Sequence, residues 1–138
     1  MRVAQNIPLA VAIALQVALG SACTSPVPPT VTRAPRVVLK ANPTIFLQAT
    51  AQQPRIAESL RQAGVQLVDS YGAADYILNV NVGRRRGSMA CGGTNNVAYI
   101  LDGREGHLLV MKGRGLTGTC TPNIFVDMSQ KLVTYFGS

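Results

Sequence analysis

One histidine, three cysteines and six acidic side chains are the whole supply of imidazole, thiol and side-chain carboxyl groups in 138 residues. His107 falls at the start of a strand pattern beside a turn, a structural setting. Asp102 and Glu105 form the sole close carboxylate pair, and they fall in that same turn, Asp102-Gly103-Arg104-Glu105-Gly106, as a solvated tip. No serine sits in a nucleophile elbow. Cys91 and Cys120 lack the CxxC spacing of a redox pair. With so few His and Cys, a multi-ligand metal site is not expected. The sequence therefore predicts no enzyme, no cofactor and no metal. Gly113-Arg114-Gly115-Leu116-Thr117-Gly118 fits GxGxxG, the loop that lets backbone amides approach a pyrophosphate. That fold also requires a further strand and an acidic residue about 20 positions on, and the chain supplies neither. The expected role is a flexible connection leaving an edge strand. A looser role as an anion-accepting loop stays open.

The elements that must position these residues follow from patterning. Hydrophobic residues are 47% of the chain and charged residues 14%, which excludes a disordered polar chain. Val37-Val38-Leu39 is a short strand candidate and Thr44 to Ala49 a better one. Pro54 suits a first helical turn. Ile56, Ala57, Leu60 and Ala63 then form an apolar stripe at helical spacing, and Gly64 ends it. Val65 to Asp69 reads as a strand. Asp75 to Gly83 is the clearest strand, with Tyr76, Leu78, Val80 and Val82 on one face and Ile77, Asn79 and Asn81 on a wetter one. Asn96 to Leu101 and His107 to Lys112 are two more strands, joined by a hairpin turn over Asp102–Gly106. Thr121-Pro122 opens a second amphipathic helix carrying Ile124, Phe125, Met128, Leu132 and Tyr135. Two helices on one face of a mixed or antiparallel sheet would bury both stripes. The expected fold is an α+β two-layer sandwich, with one domain over 36–138.

A meander brings the loop after its first strand and the connection after its third to one end of the sheet. Cys91 lies in the former and Cys120 in the latter. A structural disulfide between them would close a loop of about 30 residues, worth roughly 3–4 kcal/mol in the chain-entropy model, with free thiols as the alternative. Arg84, Arg85 and Arg86 share that loop, and Arg114 should lie near them. The cluster could meet an anionic surface such as lipid phosphate or polyanionic glycan, or be a solvated loop. Nucleic acid is not an expected partner, because no aromatics interleave the arginines.

Residues 1–22 read as a signal peptide. Arg2 precedes an apolar run from Ile7 to Leu19, too short to span a bilayer core of roughly 20 apolar residues. The run ends in Leu19-Gly20-Ser21-Ala22-Cys23, with small residues where a signal peptidase requires them. This stretch resembles the lipobox of bacterial lipoproteins. The resemblance implies that Cys23 becomes a lipidated first residue, and that Thr24, where an Asp would mean inner-membrane retention, directs the protein to a Gram-negative outer membrane. Cleavage after Ala22 without lipid would instead leave a soluble periplasmic protein. Residues 24–35, TSPVPPTVTRAP, read as an extended polyproline tether rising about 3.1 Å per residue. The formal charge is +7, or +6 once Arg2 leaves with the signal peptide.

Residues 44–82 resemble a segment of TraT-type surface lipoproteins. The residues that carry this are Thr44-Ile45-Phe46-Leu47-Gln48, Ile56-Ala57, Gly64, Ala74-Asp75-Tyr76 and Asn81-Val82. The plan is also similar to small domains of the curli secretion and TolB N-terminal types. The resemblance implies a non-enzymatic envelope lipoprotein that binds another envelope protein or an anionic envelope polymer. A soluble periplasmic module for an anionic ligand or glycan is the alternative. No oligomeric state follows from the sequence.

Overall fold

The structure is a computed structural model that describes residues 28–83, 94–118 and 123–138. Among the described residues six strands, β1 (Thr30–Arg33), β2 (Thr44–Ala49), β3 (Gln66–Leu67), β4 (Tyr76–Val82), β5 (Thr94–Gly103) and β6 (Gly106–Leu116), form one mixed sheet in the order β1-β6-β5-β4-β2-β3, and two helices cover one of its faces. This is the α+β two-layer arrangement that the pattern of strands and helical stripes predicts.

β2 (Thr44–Ala49) alternates buried Ile45 and Leu47 with half-buried Phe46 and exposed Gln48. The chain then enters α1 (Gln53–Gln62), with Pro54 in its first turn and Ile56, Ala57, Ser59 and Leu60 buried. Gly64 ends the helix with φ +96°, a left-handed backbone that glycine adopts without strain. β3 (Gln66–Leu67) is shorter than the 65–69 strand expected. It lies at the sheet edge, parallel to Thr44 and Ile45 only. Val68 N then donates to the Ile45 carbonyl at 2.9 Å, and the chain turns into a 3-10 turn over Tyr71–Ala73.

β4 (Tyr76–Val82) runs parallel to β2 and antiparallel to β5 (Thr94–Gly103), which pairs in turn with β6 (Gly106–Leu116). The meander is present, with its last two strands longer than the sequence pattern suggests. A two-residue turn, Arg104–Glu105, joins them between paired Gly103 and Gly106. α2 (Ile124–Val133) is capped by Asn123, and Thr121-Pro122, the helix start expected from sequence, lie outside the described residues. The Asn123 side chain accepts from Phe125 N at 2.9 Å, which satisfies one free helix-end amide.

Two expectations in the N-terminal half are corrected. Thr30–Arg33 is not polyproline but β1, an edge strand antiparallel to β6. Pro28, Pro29 and Pro35 flank it without entering it, and an edge tolerates their missing N–H groups. Val37–Leu39 is not a strand. Its backbone is satisfied by the C-terminal turn instead: Leu39 N donates to the Ser138 carbonyl at 3.0 Å and its carbonyl accepts from Gly137 N at 2.9 Å. Leu39 is nevertheless buried, so the apolar signal there reports core packing rather than sheet pairing.

The core lies between the helices and the inward rows of the sheet. Leu78, Val80, Val97, Tyr99, Leu101, Leu109 and Met111 meet Ile56, Leu60, Phe125, Met128 and Leu132, all buried. The Tyr99 hydroxyl reaches the Phe125 carbonyl at 3.3 Å and the Ser129 hydroxyl at 3.1 Å. Burial pushes its pKa well above the ordinary tyrosine value, so it stays neutral as a tie between sheet and helix.

Candidate functional site

Among the described residues nothing but the sheet's own side chains covers its other face, which the two helices leave free. Strand alternation puts Asn79 and Asn81 of β4, Asn96, Ala98 and Ile100 of β5, and Val110, Lys112 and Arg114 of β6 on that face. Register assembles them into rows. Asn81 stands beside Ala98, Ala98 beside Lys112, and Lys112 beside Thr30 of β1, while Asn96 stands beside Arg114. These rows lie at the end of the sheet where β4 finishes. Together with Thr50 and Val82 they line a depression of about 890 Å3.

Lys112, Arg114, Asn81 and Asn96 are all exposed. Among the described residues the ion pairs are Lys40 with Asp75 and His107 with Asp102, so neither Lys112 nor Arg114 has an acidic partner there. Two cations two residues apart on one strand, with two amides beside them, give the depression an electropositive wall rich in hydrogen-bond donors.

The frame beneath it is rigid for identifiable reasons. Val82 N donates to the Thr50 hydroxyl at 2.9 Å. Asn95, on the buried side of β5, donates to the Gly83 carbonyl at 2.6 Å and accepts from the Thr117 hydroxyl at 3.0 Å. Gly83 N closes on the Asn96 carbonyl at 2.7 Å. These bonds lock together the ends of β4, β5 and β6.

Of the site residues expected from sequence, Arg114 is described, exposed on β6 and facing the depression. Cys23, Arg84, Arg85, Arg86, Cys91 and Cys120 lie outside the described residues. The described residues that flank the two connections do share one end of the sheet: Thr94 pairs with Leu116, and Gly83, Asn95 and Thr117 are bonded together there. Lys112 and Asn96 were not singled out in the sequence. The alternation of each strand was legible, but what joins them is cross-strand register, which no single segment encodes.

The GxGxxG match has a structural cause. Gly113 to Leu116 belong to β6 and form no loop. A Cβ on Gly113 would stand 2.8 Å from Met128 Sδ and 3.1 Å from Ile124 Cδ1, and one on Gly115 would stand 3.2 Å from Ile124 Cβ. The glycines let the start of α2 lie close on the strand.

Two further polar groups lie at the opposite end of the sheet. Asp75 accepts from Thr44 N at 2.9 Å, from the Thr44 hydroxyl at 3.1 Å and from Lys40 Nζ at 3.2 Å. The Thr44 backbone bond above all, with Lys40, holds its pKa below the ordinary value. Asp102 accepts from Asn79 at 2.6 Å and meets His107 Nδ1 across the hairpin. No group of three or more His, Cys, Asp or Glu that could hold a metal occurs among the described residues, nor does a helix long and apolar enough to cross a membrane.

No protein-family model matches the sequence, and no curated protein matches it. Solved structures do. A single-substitution variant of PelC from Paraburkholderia phytofirmans, solved as a dodecamer, superposes with a TM-score of 0.50 at 14% identity, covering 80% of this chain and 99% of that one. A second PelC dodecamer from that organism gives 0.49 at 15% identity, with the same coverage. A minor lipoprotein from Acinetobacter baumannii gives 0.35 at 14% identity, covering 66% of this chain and 89% of that one. At such identities the likeness is one of fold, and it does not single out the TraT type. This chain thus shares with PelC an α+β sheet-and-helix domain.

Proposed function

We propose that this chain is a non-enzymatic lipoprotein of the bacterial envelope, held to the outer membrane by lipid on Cys23, whose domain binds another envelope component through the uncovered face of its sheet. The observation that carries the binding half is the depression on that face, with Lys112 and Arg114 exposed and unpaired among the described residues. The lipobox-like stretch Leu19–Cys23 and the PelC-like fold support the envelope half. PelC was solved as a dodecamer, so a domain of this fold can assemble. The division into signal peptide 1–22, tether from Cys23 and a folded domain belongs to this reading, with β1 placed inside the domain.

In the same reading Cys91 and Cys120 form a disulfide at the end of the sheet where their connections leave. The juxtaposed flanking residues support that pairing, and an exported protein occupies an oxidising compartment. Arg84, Arg85 and Arg86 would add positive charge at that end.

A second reading, a soluble periplasmic module for an anionic ligand, is favoured by the same depression. Lipid on Cys23 separates the two. Cells expressing the full chain should yield a membrane-bound mature protein, and Cys23→Ser should move it to the soluble fraction. Peptide mapping of non-reduced mature protein should show acyl mass on Cys23 and a Cys91–Cys120 cross-link. A mature chain beginning with an unmodified Cys23 would refute the anchor, and free-thiol labelling of both other cysteines would refute the bond.

A further inference from the structure

We infer that the depression on the uncovered sheet face is a binding site for an anionic glycan, with Lys112 and Arg114 meeting its acidic groups and Asn81 and Asn96 its hydroxyls. This rests on the proposed binding role of that face and names the class of ligand.

Three features select this class. The first is charge. Lys112 and Arg114 project from one strand at i and i+2, on the same face, and neither has an acidic partner among the described residues. Arginine offers a planar fork to carboxylate or phosphate oxygens, and lysine a mobile point charge. A second copy of this basic chain would bring like charges together, so the charge disfavours self-docking at this surface.

The second feature is the company the cations keep. An amide both donates and accepts, which suits hydroxyl groups that do the same. The side chains of Asn81 and Asn96 are exposed at the depression, one row apart on neighbouring strands. The cross-strand rows put Asn81 and Lys112 on either side of Ala98, and Asn96 beside Arg114, so amides and cations border one surface. Ala98 and the lysine and arginine stems supply apolar surface between them, against which the C–H faces of a sugar can lie.

The third feature is size. Clefts of about 300–1,000 Å3 accommodate molecules of drug size. At about 890 Å3 the depression is far larger than a single phosphate or carboxylate needs, and the described residues leave it open. No aromatic side chain lines it among the described residues, which therefore supply no stacking platform of the kind single-stranded nucleic acid uses. A short run of an acidic polysaccharide fits both the volume of the depression and its chemistry.

The full mature chain should be titrated with tetragalacturonate and with a dextran sulfate oligomer. Maltotetraose, inorganic phosphate and phosphatidylglycerol vesicles serve as comparisons. At least one acidic oligosaccharide should bind, more tightly than maltotetraose or phosphate, and binding should weaken as salt rises. Lys112→Gln with Arg114→Gln should weaken it about tenfold or more, as loss of charge-assisted bonds predicts. Asn96→Asp, which places a negative charge beside Arg114, should weaken it without unfolding the domain. Equal affinity for phosphate, preference for the vesicles, binding indifferent to the double variant, or no binding of either acidic oligosaccharide would each overturn the inference. Cys23-dependent membrane attachment and cross-linking in cells test the broader reading separately. If they hold while the titrations fail, only the ligand class is wrong.

Discussion

The two faces of the sheet are made by the same strands and answer to different demands. On the inner face Leu78, Val80, Val97, Tyr99, Leu101, Leu109 and Met111 are buried under the helices. On the outer face Asn79, Asn81, Asn96, Lys112 and Arg114 alternate with them, one residue away. The inner face is apolar because it excludes water, and that burial supplies most of the favourable folding free energy. At the end of the outer face Asn81, Asn96, Lys112 and Arg114 are exposed and bury little, so their residue types are free to be set by what they meet. Function is therefore to be sought among the exposed cations of the outer face, where a substitution changes stability by no more than about 0.5 kcal/mol.

The contrast between the two faces runs through three consecutive residues of β6. Gly113 and Gly115 face inward under Ile124 and Met128, while Arg114 between them faces out. Gly115→Val should destabilise the domain by about 1–3 kcal/mol through overpacking, and Gly113→Val by a similar or smaller amount because Met128 can yield at its flexible end. Arg114→Val should change stability by less than about 0.5 kcal/mol. Denaturant melts of the three variants measure this. Equal effects from all three would mean that the alternation of faces ends before residue 113.

A smaller effect sharpens the contrast between the two ends of the sheet. Asp75 lies at the start of β4, and the depression lies at its finish. Because the folded pKa of Asp75 is lowered, its contribution to stability is whole above the ordinary value of 3.8 and is lost as pH falls below that through the folded value. Asp75→Asn should therefore flatten the acid limb of the stability curve between neutral and low pH, modestly, since the carboxylate is solvent-exposed. Identical acid limbs in variant and wild type would show that the Thr44 and Lys40 bonds do not bias its titration.

Much of the fold was legible because burial writes a period into each segment. Ile45 and Leu47 at alternate positions, Ile56 to Leu60 at helical spacing, and Gly64 with its left-handed backbone each carry their own signal. Other features were not legible for physical reasons. β1 hides among prolines because an edge strand needs only one partner, and its partner β6 lies some 80 residues away. Leu39 mimicked a strand because a buried plug and a buried strand residue show the same apolar character. The glycine motif mimicked a phosphate loop because close helix packing and close phosphate approach make the same demand on a backbone. Of the candidate site, Arg114 was visible as a charge. Its grouping with Lys112, Asn81 and Asn96 depends on register across three strands, and register arises only when the sheet forms.

The most direct test of the account places a photo-activatable cross-linking residue at single positions of the full chain in intact cells. Asn81 and Asn96 report the uncovered sheet face, and Glu58, exposed on α1, reports the helical side. The account predicts that the membrane-bound protein captures an envelope component, protein or polysaccharide, from Asn81 and Asn96 and not from Glu58. Capture from Glu58 with silence at both asparagines would contradict it, because the helical layer would then be the binding face.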